Sequence, residues 1–461
     1  MKYMLRAATV GLLILMPLGA NSKAADTWKE QIEVLKQQME EIQRQSQQQI
    51  EELRNQVQEL EAQREADDVK IEEALKKQEE EDEDAWWKKV EMGYKKPGDG
   101  FTIKTKDGNF KLRTRLREQI QLSVIDEEDD DTATNFDIRR LRIKWDGNAF
   151  VPWLLYEIQV DATDDIILRD AYFDAAYDTR FAPRAGQYKV PFSREELNSS
   201  SELQLVERSI LNDEFAFGRD RGAGLYGVLG NLIAYGVGVF NGDGRNGESV
   251  DSNLLYAGRV MFFPCCGDVE YKASSFPVGG DYAIEPNFGE DVPLIAIGLA
   301  GGVIPGLSIA DKTPDNDIDE RFEEIFGLDA GDIIEDADVY VVTVDANFRY
   351  RIFSLEGDYF LRRIDPDGGF EEATDQAFRV QGGIFIIPEF IEVAGRFALI
   401  DYDDDIDGRD LRYEITPGFN IYLLRNHKYK LQFSYSFIRD EETDGAESDA
   451  NVFRAQFQAY F

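Results

Sequence analysis

Histidine is nearly absent from this chain of 461 residues, the only one being His427. That argues against a histidine-rich zinc site. His427 sits in a turn-like stretch, Leu423 to Tyr429, and is expected to be solvated. Cysteine is almost as scarce, and its two copies, Cys265 and Cys266, are neighbours. Adjacent cysteines suit an ordinary disulfide poorly and make no disulfide framework, so they read as an incidental pair in a turn. No nucleophile elbow, P-loop or dinucleotide fingerprint occurs. An enzyme is therefore disfavoured, and neither cofactor nor metal is expected. Cationic excess is missing too: the net charge of −39 excludes a phosphate-neutralising nucleic-acid binder. Finally, no apolar run reaches the ~20 residues of a membrane-spanning helix.

What is present begins with Lys2 and Arg6, an apolar run Ala7–Leu18 and a small-residue site at Ser22-Lys23-Ala24. Residues 1–24 thus read as a secretory signal peptide, which sends the rest to the bacterial envelope. Residues 25–85 are rich in Glu, Gln, Lys and Arg. Ile32, Leu35, Met39, Ile42, Ser46, Ile50, Leu53, Val57 and Leu60 recur at steps of three and four. That spacing predicts a coiled coil with one stutter, an α-helical stalk reaching into the periplasm and joining protomers. Trp86-Trp87 suits a membrane interface. Residues 86–100, with Lys95-Lys96-Pro97-Gly98, read as a linker and turn.

Past Gly100 the period shifts from 3.6 to 2. Sixteen alternating segments follow: 109–122, 135–149, 153–163, 167–178, 181–188, 222–229, 232–241, 253–263, 293–301, 338–350, 351–363, 375–387, 389–401, 409–424, 427–439 and 450–461. Tight turns (Gly230-Asn231, Tyr350-Arg351, Pro388-Glu389) alternate with longer acidic loops such as Ile125–Asp131 and Asp401–Asp410. The long connection Pro264–Val292 breaks that alternation. An even number of strands with short turns at one end and long loops at the other predicts an all-β transmembrane barrel over 101–461. The last strand places Phe453, Phe457 and the terminal Phe461 on one face.

Charge at mid-bilayer costs about 2–4 kcal/mol on the lipid side, so the charged faces must line the lumen. On that parity Lys111, Arg113, Arg115, Arg117, Arg140, Arg142, Lys144, Arg379, Arg396, Arg412, Lys430 and Arg454 point inward. So do Glu157, Asp161, Asp170, Asp174, Glu392 and Glu414. Rows of cations build anion pores; the alternative is that they pair with lumen carboxylates and brace the wall. Glu118 spoils the apolar face and points to a bulge or a protomer contact.

The stretch Gly186–Gly224 is too long for a hairpin and too apolar to float free, with Phe192, Leu203, Leu211, Phe215 and Phe217. It is expected to fold into the lumen and narrow it. Its motifs GQYKVPFSREEL, RDRGAGLYG, YGVGVFNGDGRN and GRVMFFP, with DIRRLRIKWDGNAF and LRDAYFD upstream, resemble the phosphate-selective porin O and P family. The resemblance runs from about Gly93 to Phe461. It implies a homotrimeric sixteen-stranded outer-membrane porin whose third loop constricts a passage for small anions, phosphate foremost. It implies that Arg139 and Arg140 are the paired arginines of the second strand. Lys189, Arg194, Arg208, Arg219 and Arg221 would belong to the constriction loop. Lipid and lipopolysaccharide are then the expected surroundings. A second role stays open: an outer-membrane tether in which the stalk engages peptidoglycan and the barrel is only its anchor.

Overall fold

The computed structural model describes residues 22–83, 86–96, 98–127, 132–163, 165–230, 232–247, 253–265, 293–308, 336–404, 406 and 408–461. Most of the signal peptide, the acidic tip of Ile125–Asp131, Cys266 and most of Pro264–Val292 lie outside them. Two compact units divide at Lys88/Lys89. The first holds one helix, α1 (Ser22–Glu83), of 62 residues, roughly 90 Å at 1.5 Å per residue. Gln, Glu, Lys and Arg favour it throughout, and Pro and Gly are lacking. Its apolar stripe has no cover within the chain: Ile42 and Leu60 are 64% and 63% exposed.

In the second unit most barrel strands form where apolar and polar residues alternate, while β9 (Ile233–Phe240) and β11 (Leu294–Ser308) are almost wholly apolar or glycine. The strands are β3 (Lys111–Glu127), β4 (Ala133–Asn148), β5 (Leu154–Asp161), β6 (Ile167–Ala175), β7 (Ala182–Lys189), β8 (Arg219–Leu229), β9 (Ile233–Phe240) and β10 (Leu255–Cys265). They continue with β11 (Leu294–Ser308), β12 (Asp336–Tyr350), β13 (Phe353–Pro366), β14 (Ala373–Ile387), β15 (Ile391–Asp401), β16 (Arg409–Tyr422), β17 (Lys430–Glu442) and β18 (Glu447–Tyr460). Each pairs antiparallel with the next, and β18 returns to β3, with Tyr460 opposite Arg117. The result is a closed sixteen-stranded barrel without a free edge, as the alternation predicts. Several strands outrun their expected ends. The β17–β18 turn shrinks to four residues, 443–446, because polar residues keep pairing beyond the apolar belt.

The expected linker is more ordered than its composition suggests. A short 3-10 turn (Trp86–Lys89) leads to β1 (Val90–Gly93), which pairs with β2 (Phe101–Thr105). β2 in turn adds to the first residues of β3, with Thr102 opposite Arg113. The hairpin thus extends the barrel wall at its tight-turn end.

The segment between β7 and β8 enters the lumen and carries two short helices, α2 (Arg194–Leu197) and α3 (Ile210–Phe215). Ser193 and Ser209 cap them by accepting from the Glu196 and Asn212 amides. The apolar side of the loop meets the inner faces of β9–β15. Phe192 lies 4.8 Å from Phe217, and Phe215 lies 5.6 Å from Phe360. Small inward residues make room for it: a Cβ at Gly302 would fall 2.3 Å from Phe217, and one at Gly418 would fall 2.3 Å from Leu205. The main core of the molecule therefore lies inside the barrel, between loop and wall.

Candidate functional site: the lumen

Alternation turns every second residue of a strand inward, and where those residues are charged the antiparallel register sets cation beside anion. Arg113 faces Asp146 across β3–β4 at 2.6 Å, and Arg115 reaches the same carboxylate at 2.6 Å. Arg142 faces Asp161 at 2.7 Å, Arg184 faces Asp174 at 2.6 Å and Arg362 faces Asp375 at 2.8 Å. Lys144 binds Glu157 at 2.5 Å, Arg396 binds Glu414 at 2.5 Å and Arg412 binds Asp440 at 3.1 Å. These are cross-strand pairs, and they brace the wall.

One half of the lumen is dry. Under the loop, fully buried Arg379 holds Asp358, Glu356 at 2.9 Å and the loop's Glu195 at 3.4 Å. Arg259 binds Asp345 at 2.5 Å and donates to the Phe192 carbonyl at 2.7 Å. Arg362 also reaches Glu214 of α3 at 3.2 Å. Lys430 donates to the Leu203 carbonyl at 2.8 Å, and Arg194 lies 3.7 Å from Glu356. Of the expected pore cations, then, Arg379 and Lys430 face inward but are spent fastening the loop, and the loop's own Arg194 is buried against the wall beside Glu356.

The other half, along β3–β8 and, at its long-loop end, β15–β18, is open. Towards the long-loop end lies a cavity of about 520 Å³ lined by nine arginines and five carboxylates. Towards the tight-turn end lies one of about 370 Å³ with six arginines, two lysines and three carboxylates. Arg142 and Arg219 line both, so the two chambers meet there. At that waist the Ser200 hydroxyl accepts from Arg117 and Arg142, each at 3.0 Å. Arg219 binds Asp170 at 3.1 Å and Glu196 at 3.4 Å; Arg208 and Lys189 lie 3.1 and 3.6 Å from the same Glu196.

Two bulges add charge that alternation cannot. Gln119 pairs with Arg140 and Ile120 with Ile138, leaving Arg139 as an extra residue of β4. Both arginines therefore turn inward and bind Glu207 of the loop, each at 2.7 Å. In β6 the pairing skips Arg169 in the same way, so it joins Asp170 on the inner face. Among the described residues Arg117, Arg169 and Arg454 line the chambers with no carboxylate within ion-pair distance.

The loop carboxylates differ in charge state. Burial raises the Glu196 carboxyl, but Arg208, Lys189 and Arg219 outweigh it and hold it well below its ordinary 4.5. Arg140 and Arg139 do the same for Glu207. A depressed folded pKa contributes stability that is complete above about pH 4.5 and fades as pH falls through the folded value. Asp213 goes the other way: burial, then Glu195 and Glu207, push it up to about 7 against the opposing pull of Arg208 and Arg396. Acidification from pH 7 to 5 is thus expected to discharge Asp213 while Glu196 and Glu207 stay ionised. Anion preference rises over that interval, and D213N flattens the profile. Reversal potentials measured at stepped pH check this.

The remaining expected residues scatter. Lys111 sits at the tight-turn rim. Arg412 lines neither chamber. Arg221, exposed, donates to the Gly247 and Asn246 carbonyls at 3.0 and 3.3 Å. Glu118 lies outward beside Leu141 and Ala459, next to the β4 bulge. His427 corrects the expectation of a solvated turn: it is 4% exposed, its Nδ1 lies 3.3 Å from Lys430 Nζ, and its ring abuts Tyr422. The turn tucks inward under the root of the loop, and burial, then Lys430, lowers its pKa. Sequence reasoning missed Arg169, Arg184, Arg259 and Arg362. Arg169 carries no alternation signal at all, being placed by the bulge; the other three share the inward parity of their strands.

The profile of a family described as phosphate-selective porin O and P matches residues 110–461. An uncharacterized protein of Aquifex aeolicus is 25% identical over 406 residues, covering 78% of this chain and 89% of that one. Among solved structures, the anion-selective porin from Comamonas acidovorans matches with a TM-score of 0.50 at 11% identity, over 76% of this chain and all (100%) of that one. The outer membrane channel DcaP of Acinetobacter baumannii matches with a TM-score of 0.47 at 12% identity, over 78% and 99%. A closed barrel with an inward third loop, matched by a family over most of its length, is an outer-membrane channel for small solutes, and the chain belongs to the phosphate-selective porin O and P family.

Proposed function

We infer that this channel passes small anions, phosphate among them, by diffusion. The observation that carries the reading is the excess of unpaired cations on the open half of the lumen. Arg117, Arg169 and Arg454 give that half a positive sign in a chain of net charge −39. Their field acts in a lumen narrowed by the inserted loop, where walls of low dielectric focus it. Arg142 and Arg219 at the waist replace part of an anion's hydration while their own carboxylates keep them from trapping it. In a planar bilayer under a salt gradient the reversal potential is expected to take the sign of anion permeation, with phosphate reducing chloride current. A cation-selective sign overturns the reading.

The same reading makes α1 a coiled coil on the periplasmic side, joining three copies, because its apolar stripe is bare in the single chain. Outward Glu118, costly against lipid, fits a protomer contact better than the acyl region. The exposed stripe favours assembly over attachment to the cell wall as the arm's primary task.

A further inference from the structure

Resting on the outer-membrane reading, we propose that the β1–β2 hairpin and the adjoining rim form a binding site for one anionic phospholipid of the periplasmic leaflet. A groove of about 290 Å³ runs between hairpin and barrel, floored by Val90, Ile103, Phe110, Leu112, Ala149 and Tyr156. Its apolar face continues the outward belt of β3, since Leu112 sits beside Ile103 in the ladder. Lipid tails that cover the barrel therefore meet it without a break.

The head of the groove is basic. Lys104 and Lys111 border it, and exposed Lys106, Lys95 and Lys96 stand in the same short segment. The three acids of residues 89–111 are already engaged. Glu91 pairs with Lys104 at 2.8 Å, Asp99 with Lys428, and Asp107 accepts from the Asn109 amide at 2.9 Å. Positive charge is left over there, in a chain that is otherwise strongly acidic, and it lies where a phosphodiester would sit above a buried tail.

The groove is preformed. Asn148 donates to the Gly108 and Asn109 carbonyls at 2.8 and 3.0 Å, locking the β2–β3 turn to the wall. Gly147 allows that approach, since a Cβ there would fall 1.7 Å from the Lys111 carbonyl. Phe150, 71% exposed and held at φ 67°, stacks edge-on with Phe110 at 5.5 Å beside the groove. A bulky residue keeps such a backbone conformation only where its surroundings impose it, and here it presents an aromatic pair to the interface.

The test is native mass spectrometry of the intact detergent-extracted protein, given equal amounts of phosphatidylglycerol and phosphatidylcholine with identical chains. Wild type is expected to retain phosphatidylglycerol about fivefold more often, and K104Q/K106Q to bring the two to parity. Neither lysine lines the lumen, so bilayer conductance and ion selectivity stay unchanged in the variant and confirm its folding. A second variant, K95Q/K96Q, should lower the preference partially. Equal retention by wild type overturns the proposal, as does a preference that survives both variants. A wild-type channel that selects cations would sink the anion reading while leaving the lipid result intact.

Discussion

R117Q/R169Q/R454Q is expected to abolish most of the anion preference, and R117E/R169E/R454E to drive the reversal potential through zero to the cationic side. The reasoning is one of net fixed charge. A guanidinium bound to a carboxylate at 2.6 Å presents a dipole to a passing ion, whereas an unpaired one presents a whole charge. At ~8 Å and an effective dielectric between 20 and 80, each whole charge acts with roughly 0.5–2 kcal/mol. Three of them shift the permeability ratio by on the order of tenfold or more. Removing them orphans no carboxylate, so the barrel should fold normally. K144Q/E157Q is the matched control: it removes a cation together with its own carboxylate, 2.5 Å apart, so the net fixed charge is unchanged and selectivity should barely move. If the triple glutamine variant keeps the wild-type reversal potential in a salt gradient, these three residues do not set the sign.

R379A acts on another property altogether. Its guanidinium is the knot joining the loop's Glu195 to Glu356 and Asp358 of β13, in a place closed to water. Without it Asp358 is left buried with no cation beside it among the described residues, while Arg194 still lies 3.7 Å from Glu356 and Arg396 3.6 Å from Glu195; breaking such a buried pair costs about 3–5 kcal/mol. The sixteen-strand ladder closes on itself and does not depend on this knot, so the loop should yield before the barrel. Single-channel conductance is expected to increase and become noisy, with ion preference largely kept and the folded barrel still resistant to detergent on gels. Unchanged, quiet conductance would mean that Phe192, Phe215 and Phe217 suffice to hold the loop.

These two variants separate what the sequence made legible from what it concealed. Alternation alone placed Arg117 and Arg454 on the inner face, because a period of two leaves no choice once one face must meet lipid. The same logic was blind to Arg169, whose position depends on a skipped pairing that leaves no mark in hydropathy. Nor did parity distinguish Arg379 from Arg117, since both point inward. What divides them is which wall the loop leans on. That was decided by small inner residues, such as Gly302 and Gly418, whose absence of side chain is visible in the sequence only once the loop's destination is known. The helix of the arm was readable from its steps of three and four. Hairpin β1–β2 was not, because Lys, Gly and Pro in a short run carry the marks of a turn whether or not strands flank it. His427 misled for a related reason: a turn at a barrel mouth has an inside as well as an outside.

The skipped arginines have a further consequence. In an ordinary strand, deleting one residue inverts every side chain beyond it, so length changes there are rarely survivable. Arg139 and Arg169 each stand outside the pairing ladder, and excising either would only flatten a kink while the neighbours kept their faces. A channel built this way can gain or shed charge by insertion and deletion, in unit steps. Its electrical character is then open to evolutionary adjustment with its architecture held constant.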